Sequence, residues 1–459
     1  MLSLSQSISK SLRNTLYSSL LGCLIIIPVS AENLIQVYQH AQQNDAQLKI
    51  SENGFLASLE KKPQIMSLLK PRVDLTANTS YNLQYTGRTI RGDDGAAFLN
   101  LGYELTLIKP LINKGLQAQI AQVDASILQS EATLENDRQD LIIRVAEAYF
   151  DFLNAKDTFS FRKLEKNAIG NQLKQIKAFF DAGRSAITDL KEAQARYDLA
   201  RAQEVAAKQQ IELVRESLRA ITTRYYENLD GASDHIALLV PKPNNIEAWA
   251  KTALINSKPL IAAQHAVAIA QKVVDIERAA KKPTVDLFAR HSSGSTFGED
   301  AFDQDKTDAS VGVQLKMPLY QGGNITSRVR EARHNLHRAQ QQLELQKRLA
   351  TQQTRAAYLT IISGLSQVKA FKQALDSSQT ATKATQAGFE AGTRTAVDVL
   401  LSLRETFAAR RDYTTARYDF LLNTLKLKRA TGTLSEHDLA AISKLLTKRA
   451  VQTKAKPKK

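Results

Sequence analysis

Two histidines three residues apart, His334 and His337, fall in a stretch patterned as a helix, a spacing at which two imidazoles can share one metal ion. They are not part of a spaced Cys/His cluster, so they read as surface residues. The sole cysteine, Cys23, ends Leu20-Leu21-Gly22-Cys23, the small-residue-then-Cys form of a lipidation site. The apolar core continues past it through Leu24-Ile25-Ile26-Ile27, whereas a processing site belongs where that core stops. There is no phosphate-binding glycine loop, no nucleophile motif and no spaced Cys/His cluster, so the chain reads as non-enzymatic, with no cofactor and no metal. The carboxylates that stand out are Asp189 and Asp398. Each follows a glycine, Gly183 or Gly392, that permits a tight reversal between two helices. A helix dipole favours a carboxylate at either place, which is reason enough for both.

The segments around these residues set their compartment. Lys10 and Arg13 precede an apolar stretch from Leu16 to Pro28 and the small-residue site Val29-Ser30-Ala31, which is the pattern of a secretory signal. Cleavage before Glu32 would remove Cys23 with the signal and leave a mature chain without thiol chemistry. No later apolar run reaches about 18 residues, which excludes a helical inner-membrane anchor. The formal net charge of +16 points toward nucleic acid or anionic lipid, and export excludes nucleic acid. Part of the excess lies in a basic tail, 446–459, carrying Lys448, Arg449, Lys454, Lys456, Lys458 and Lys459, expected to be disordered and solvated.

Compared with itself at a shift of about 210 residues, the chain repeats. Asn44 with Leu48 recurs as Asn256 with Leu260, and Pro71-Arg72-Val73-Asp74-Leu75 recurs as Pro283-Thr284-Val285-Asp286-Leu287. Pro110-Leu111 recurs as Pro318-Leu319, Ala148-Tyr149 as Ala357-Tyr358, and Ala182-Gly183 with Asp189 as Ala391-Gly392 with Asp398. The chain therefore divides into a signal (1–31), a first repeat (32–240), a second repeat (241–445) and the tail. Prolines flank matching segments in the two halves and are expected to punctuate elements without interrupting them.

Between the flanking prolines the pattern has period two. Val73, Leu75, Ala77, Thr79, Tyr81 and Leu83 alternate with Asp74, Thr76, Asn78, Ser80 and Asn82; Leu99, Leu101, Tyr103, Leu105 and Leu107 form the returning apolar face. This predicts strands at about 72–85 and 98–108, and, in the second repeat, at about 284–291 and 309–317. The third is the weakest, because Phe288 breaks its polar face. Such lengths suit tilted membrane-crossing strands, and the polar loops Gly87 to Ala97 and Ser292 to Asp308 suit the outer side of a barrel. Four strands cannot close a barrel, and an open edge in lipid leaves backbone groups unpaired, so the barrel must be shared between chains. The rest is helical. Leu116, Ile120, Val123, Ile127, Leu134, Leu141, Val145, Ala148 and Phe152 make a coiled-coil seam within a helix about 100 Å long at 1.5 Å per residue. Long helices are expected at about 115–182, 187–222, 323–390 and 396–431.

Three segments then carry a resemblance: Glu32-Asn33-Leu34-Ile35-Gln36-Val37-Tyr38, Pro318-Leu319-Tyr320-Gln321-Gly322-Gly323, and Gly392-Thr393-Arg394-Thr395-Ala396-Val397-Asp398-Val399-Leu400. With the duplicated halves and paired strands, the chain from Glu32 to about Leu446 resembles the outer-membrane efflux proteins. The resemblance implies a mainly α fold in which a coiled-coil α-helical barrel joins a 12-stranded β-barrel shared by a homotrimer. It also implies a small girdle built from Tyr226 to Trp249 and Gly432 to Lys444. The implied function is an outer-membrane channel, reaching into the periplasm, of a tripartite efflux pump or type I secretion system. Its partners would be a periplasmic adaptor protein, an inner-membrane pump and outer-membrane lipid. A periplasmic coiled-coil adaptor or scaffold is the competing reading; it would need no lipid-facing strands.

The resemblance further implies that the two helix-to-helix turns form a gated aperture, with Gly183, Gly392 and Thr393 on the docking turns and Asp398 lining the constriction as a ring of three. The family's second acidic ring falls on Leu401. Its tyrosine partner to Asp189 is Phe389, and its glutamate is Gln386, opposite Gln172. Arg394, facing Thr188 and Asp189, is then the link expected to carry most of the closed-state restraint.

Overall fold

The computed structural model describes residues 32–85, 95–232, 240–298 and 304–447. The signal, Cys23 and most of the basic tail lie outside them. The first repeat contains α1 (Leu34–Asn44), α2 (Ala46–Ser67), β1 (Arg72–Tyr85), β2 (Gly95–Ile112), α3 (Lys114–Asp181), α4 (Ile187–Thr222) and the two-residue β3 (Gly231–Ala232). The second contains α5 (Ile246–Asn256), α6 (Lys258–Ala279), β4 (Thr284–Phe297), β5 (Gln304–Lys316), α7 (Asn324–Glu390), α8 (Ala396–Ala430), α9 (Glu436–Leu445) and β6 (Leu446–Thr447). The duplication read from the residues is thus a duplication of elements, from α1 and α5 through α4 and α8.

The repeated Asn and Leu mark a break between helices. Asn44 and Asn256 each turn a side-chain amide back to a carbonyl four residues earlier, His40 at 2.8 Å and Thr252 at 3.3 Å, which closes α1 and α5. Asp45 caps α2 by accepting the Leu48 N–H at 2.7 Å, and Leu48 and Leu260 are the first buried side chains of α2 and α6.

Strands β1-β2-β4-β5 form one antiparallel sheet, in that order. Its predicted apolar face is bare in the single chain, with Leu75, Tyr81, Val311 and Leu315 among the exposed side chains. Three expectations need correction. Strand β4 is paired on both sides from Val285 to Thr296 in spite of Phe288, which lies opposite Gly312, where a Cβ would stand 2.8 Å from the ring; the aromatic covers the glycine. The second loop is shorter than expected, since Ser293 with Thr307 (3.1 Å) and Ser295 with Asp305 (2.5 Å) bond across the strands and prolong the hairpin. Proline also interrupts: Pro110 sits inside β2 beside a bulge that shifts register before Ile112, and Pro63 lies inside α2 on an exposed turn where water can satisfy the carbonyl it frees.

Helices α3 and α7, with 68 and 67 residues, each pack their turn-side half against an antiparallel partner about half as long, α4 with 36 residues and α8 with 35. Helix α6 lies between α3 and α7, while α2 packs on α3 alone among the strong helix contacts. Midway along α3 sits the largest core, in which Leu141, Val145, Tyr149 and Phe152 meet Leu34 and Val37 of α1, Leu218 of α4, Leu425 of α8 and Leu439 of α9. Here the girdle closes. Strand β3 pairs with β6, Glu32 bridges Leu229, and the Tyr149 hydroxyl donates to the Asp230 carbonyl at 2.7 Å. Gln139 donates from within α3 to the carbonyls of Gly432 and Leu434 at 3.0 and 3.1 Å. The segment expected to build the girdle is partly outside the described residues, at 233–239.

Candidate functional site

The two turns at the far end of the long helices share one backbone geometry. Gly183 and Gly392 sit at φ +70° and +78°, and the residue after each donates its N–H five residues back, Arg184 to Phe179 at 2.7 Å and Thr393 to Gly388 at 2.8 Å. Gly183 and Gly392 also donate to Phe180 and Phe389, at 2.9 and 3.0 Å. This double bond pattern satisfies the last carbonyls of α3 and α7 and requires a left-handed residue that glycine supplies without strain. Around a Cβ added to either glycine there is nothing within 4 Å, so backbone angle alone selects them.

Beyond the turns the repeats diverge. Thr395 caps α8 in a reciprocal box: its hydroxyl accepts the Asp398 N–H at 3.2 Å and Asp398 Oδ2 accepts the Thr395 N–H at 3.0 Å. These bonds, with Arg394 nearby, hold the Asp398 carboxyl below the usual range. The matching cap of α4 is Ala186, which has no side chain to offer, and Asp189 instead accepts from Ser185 Oγ at 3.0 Å. Thr188 is exposed and Leu401 half-buried.

Among the described residues, no hydrogen bond or ion pair within the chain joins Arg394 to Thr188 or Asp189. Arg394 folds over Gly388, where a Cβ would lie 2.8 Å from its Cγ. Gln386 donates to Glu390 at 3.1 Å along its own helix, and the buried amide nitrogen of Gln172 has no partner. What holds the two tips together is apolar. The Phe389 ring lies 5.9 Å from that of Phe179, and Ala396 and Leu400 of the second hairpin are buried against Ile169, Ile176, Ala193 and Ala200 of the first. His334 and His337 are exposed, and His337 pairs with Gln340 at 3.2 Å.

A bare apolar sheet face, four strands with open edges and two paired long-helix hairpins ending in matched turns define a membrane protein of duplicated design. Its sequence matches the family described as outer membrane efflux protein over residues 37–224 and 249–433. The chain belongs to that family. It is 33% identical over 433 residues to the outer membrane protein TolC of Escherichia coli, covering 91% of this chain and 86% of that one. It is 28% identical over 426 residues to the alkaline protease secretion protein AprF of Pseudomonas aeruginosa, covering 90% and 87%. The fold is that of the Campylobacter jejuni CmeC outer membrane channel, with a TM-score of 0.75 at 17% identity over 90% of each chain. The Neisseria gonorrhoeae MtrE channel in its open state gives 0.69 at 18%, covering 89% and 91%. As a member of the efflux family the protein is an outer-membrane channel extending into the periplasm, and its relatives are transport proteins.

Proposed function

We propose that the protein works as a homotrimer: the outer-membrane duct of a tripartite efflux pump or type I secretion system, gated at its helical turns and docked there by a periplasmic adaptor and an inner-membrane pump. The observation that carries this reading is the unfinished sheet. β1 and β5 are free edges, and β1, β2 and β5 carry exposed apolar side chains. In lipid such edges must be paired, and three chains of four strands give a twelve-stranded barrel, within the range that membrane barrels occupy. The duplication says which surfaces meet. Since β2 pairs with β4, the quasi-equivalent contact is β5 with β1 of the next chain; since α6 fills the gap between α3 and α7, α2 should fill the same gap beside the neighbour's α7. Exposed Ile50, Leu56 and Met66 on α2 supply the apolar surface for it. Kinship with AprF, a protease secretion protein, supports secretion of polypeptides, and membership of the outer membrane efflux protein family supports efflux.

Chemical cross-linking of the detergent-extracted protein tests the assembly. The expected ladder stops at three chains, and unheated protein migrates as a trimer. A protein that stays soluble without detergent and cross-links to nothing would replace the duct by a periplasmic scaffold.

A further inference from the structure

The seam between the two helical hairpins, where α3 runs against α8, changes character along its length. Near the girdle it is polar: Tyr418 donates to Asp157 Oδ2 at 2.8 Å and Thr415 to Asn154 Oδ1 at 2.8 Å. Further toward the turns comes Glu165, only 2% exposed, whose Oε2 accepts from Arg162 at 2.9 Å on its own helix and from Arg411 of α8 at 3.2 Å. Arg162 also donates to Gln203 Oε1 of α4 at 2.6 Å, so α4 joins the cluster through Arg162. Beyond it, among the described residues, no hydrogen bond or ion pair joins the first hairpin to the second. The last stretch, about 24 Å from Glu165 to the end of α3 at 1.5 Å per residue, is held by the apolar contacts around Phe389 and Leu400 alone.

We infer that the Glu165–Arg162–Arg411 cluster is the fulcrum of the gate: the last polar tie between the hairpins, fixing the point beyond which the second hairpin can swing from the first. This rests on the channel reading above. A buried carboxylate gripped by two guanidinium groups resists separation because parting them strands charge away from water. Burial and the neighbouring Arg162 cation already press on Arg411, lowering its affinity for its proton, so Glu165 is what makes both cations tolerable there. The quasi-equivalent positions one repeat away hold Phe371, Ala374 and Ala202, with no charge. In a closed ring the clamp therefore recurs at every second hairpin seam, within each chain and absent between chains. Glu165 and Arg411 act as positioning residues, setting the tips without lining the pore.

Single-channel conductance of the detergent-extracted full chain tests this, with Glu165→Gln, Arg411→Met, Arg411→Lys and Thr415→Ala. Losing the clamp should shift the closed-to-open ratio about tenfold toward open in Glu165→Gln and Arg411→Met. Arg411→Lys, which keeps the charge, and Thr415→Ala, which cuts a tie on the girdle side, should conduct like the parent. Parent-like conductance in Glu165→Gln, or an equal rise in Thr415→Ala, would overturn the fulcrum. Loss of the trimer in both clamp variants would also overturn it and assign the cluster to folding. A parent chain that forms no channel at all sinks the duct reading first and the fulcrum with it.

Discussion

The Asp398 carboxylate is engaged before any assembly forms, since it accepts the Thr395 N–H while Thr395 accepts its own. A ring of three such groups would thus be built from carboxylates already held ionised by a helix cap. The folded-state affinity for a proton lies below the free one, so the cap is complete above the ordinary carboxylate range and is lost as pH falls through the depressed value. Thr395→Ala removes one half of the box, and amide exchange at Asp398 should rise about five-fold at neutral pH. Unchanged exchange would show that the hydroxyl contributes nothing to the cap. The same scale shows where reading residues alone falls short. Asp398, Gly183 and Gly392 are legible because a cap and a reversal are local events. Glu165 and Arg411 lie 246 positions apart, and only the antiparallel seam of α3 and α8 brings them together. Arg394, expected to hold the tips, makes no bond to Thr188 or Asp189 within the chain, and Phe389 contributes ring packing in place of a hydroxyl's hydrogen bond.

For elements, period and duplication carried far. The four long helices begin and end within about one residue of the expected limits, because sustained spacings of threes and fours leave little choice, whereas the second strand hairpin runs five to six residues further into its loop than the apolar alternation reaches. What period could not show was termination. The break between α1 and α2 depends on one amide and one aspartate, and the bulge at Pro110 on pairing with a distant strand. Glycines divide in the same way. Gly392 is required only for its angle, so Gly392→Ala should cost about 1–2 kcal/mol of left-handed strain and lower the thermal midpoint slightly. Gly432, at φ +72°, has the Asn256 carbonyl oxygen 2.0 Å from where a Cβ would stand, so Gly432→Ala should disrupt the girdle and lower the thermal midpoint far more. Similar thermal midpoints for the two variants would refute this division.

At the scale of the molecule, the chain is two copies of one plan, and the copies differ at the hairpin seam and at the turns as well as in the strands and the girdle. Both repeats supply a hairpin of the barrel and a pair of long helices. Only the seam within the chain holds the Glu165 clamp, and only the second turn has the capped Asp398. The contacts between the tips are apolar, so in the proposed gate the closed state should depend on packing and on one buried charge cluster. The most direct measurement is the single-channel conductance of the purified protein in a planar bilayer. A gated duct gives discrete, small conductance steps, the mark of a wide pore held nearly shut. Absence of any step from trimeric, bilayer-inserted protein would contradict it.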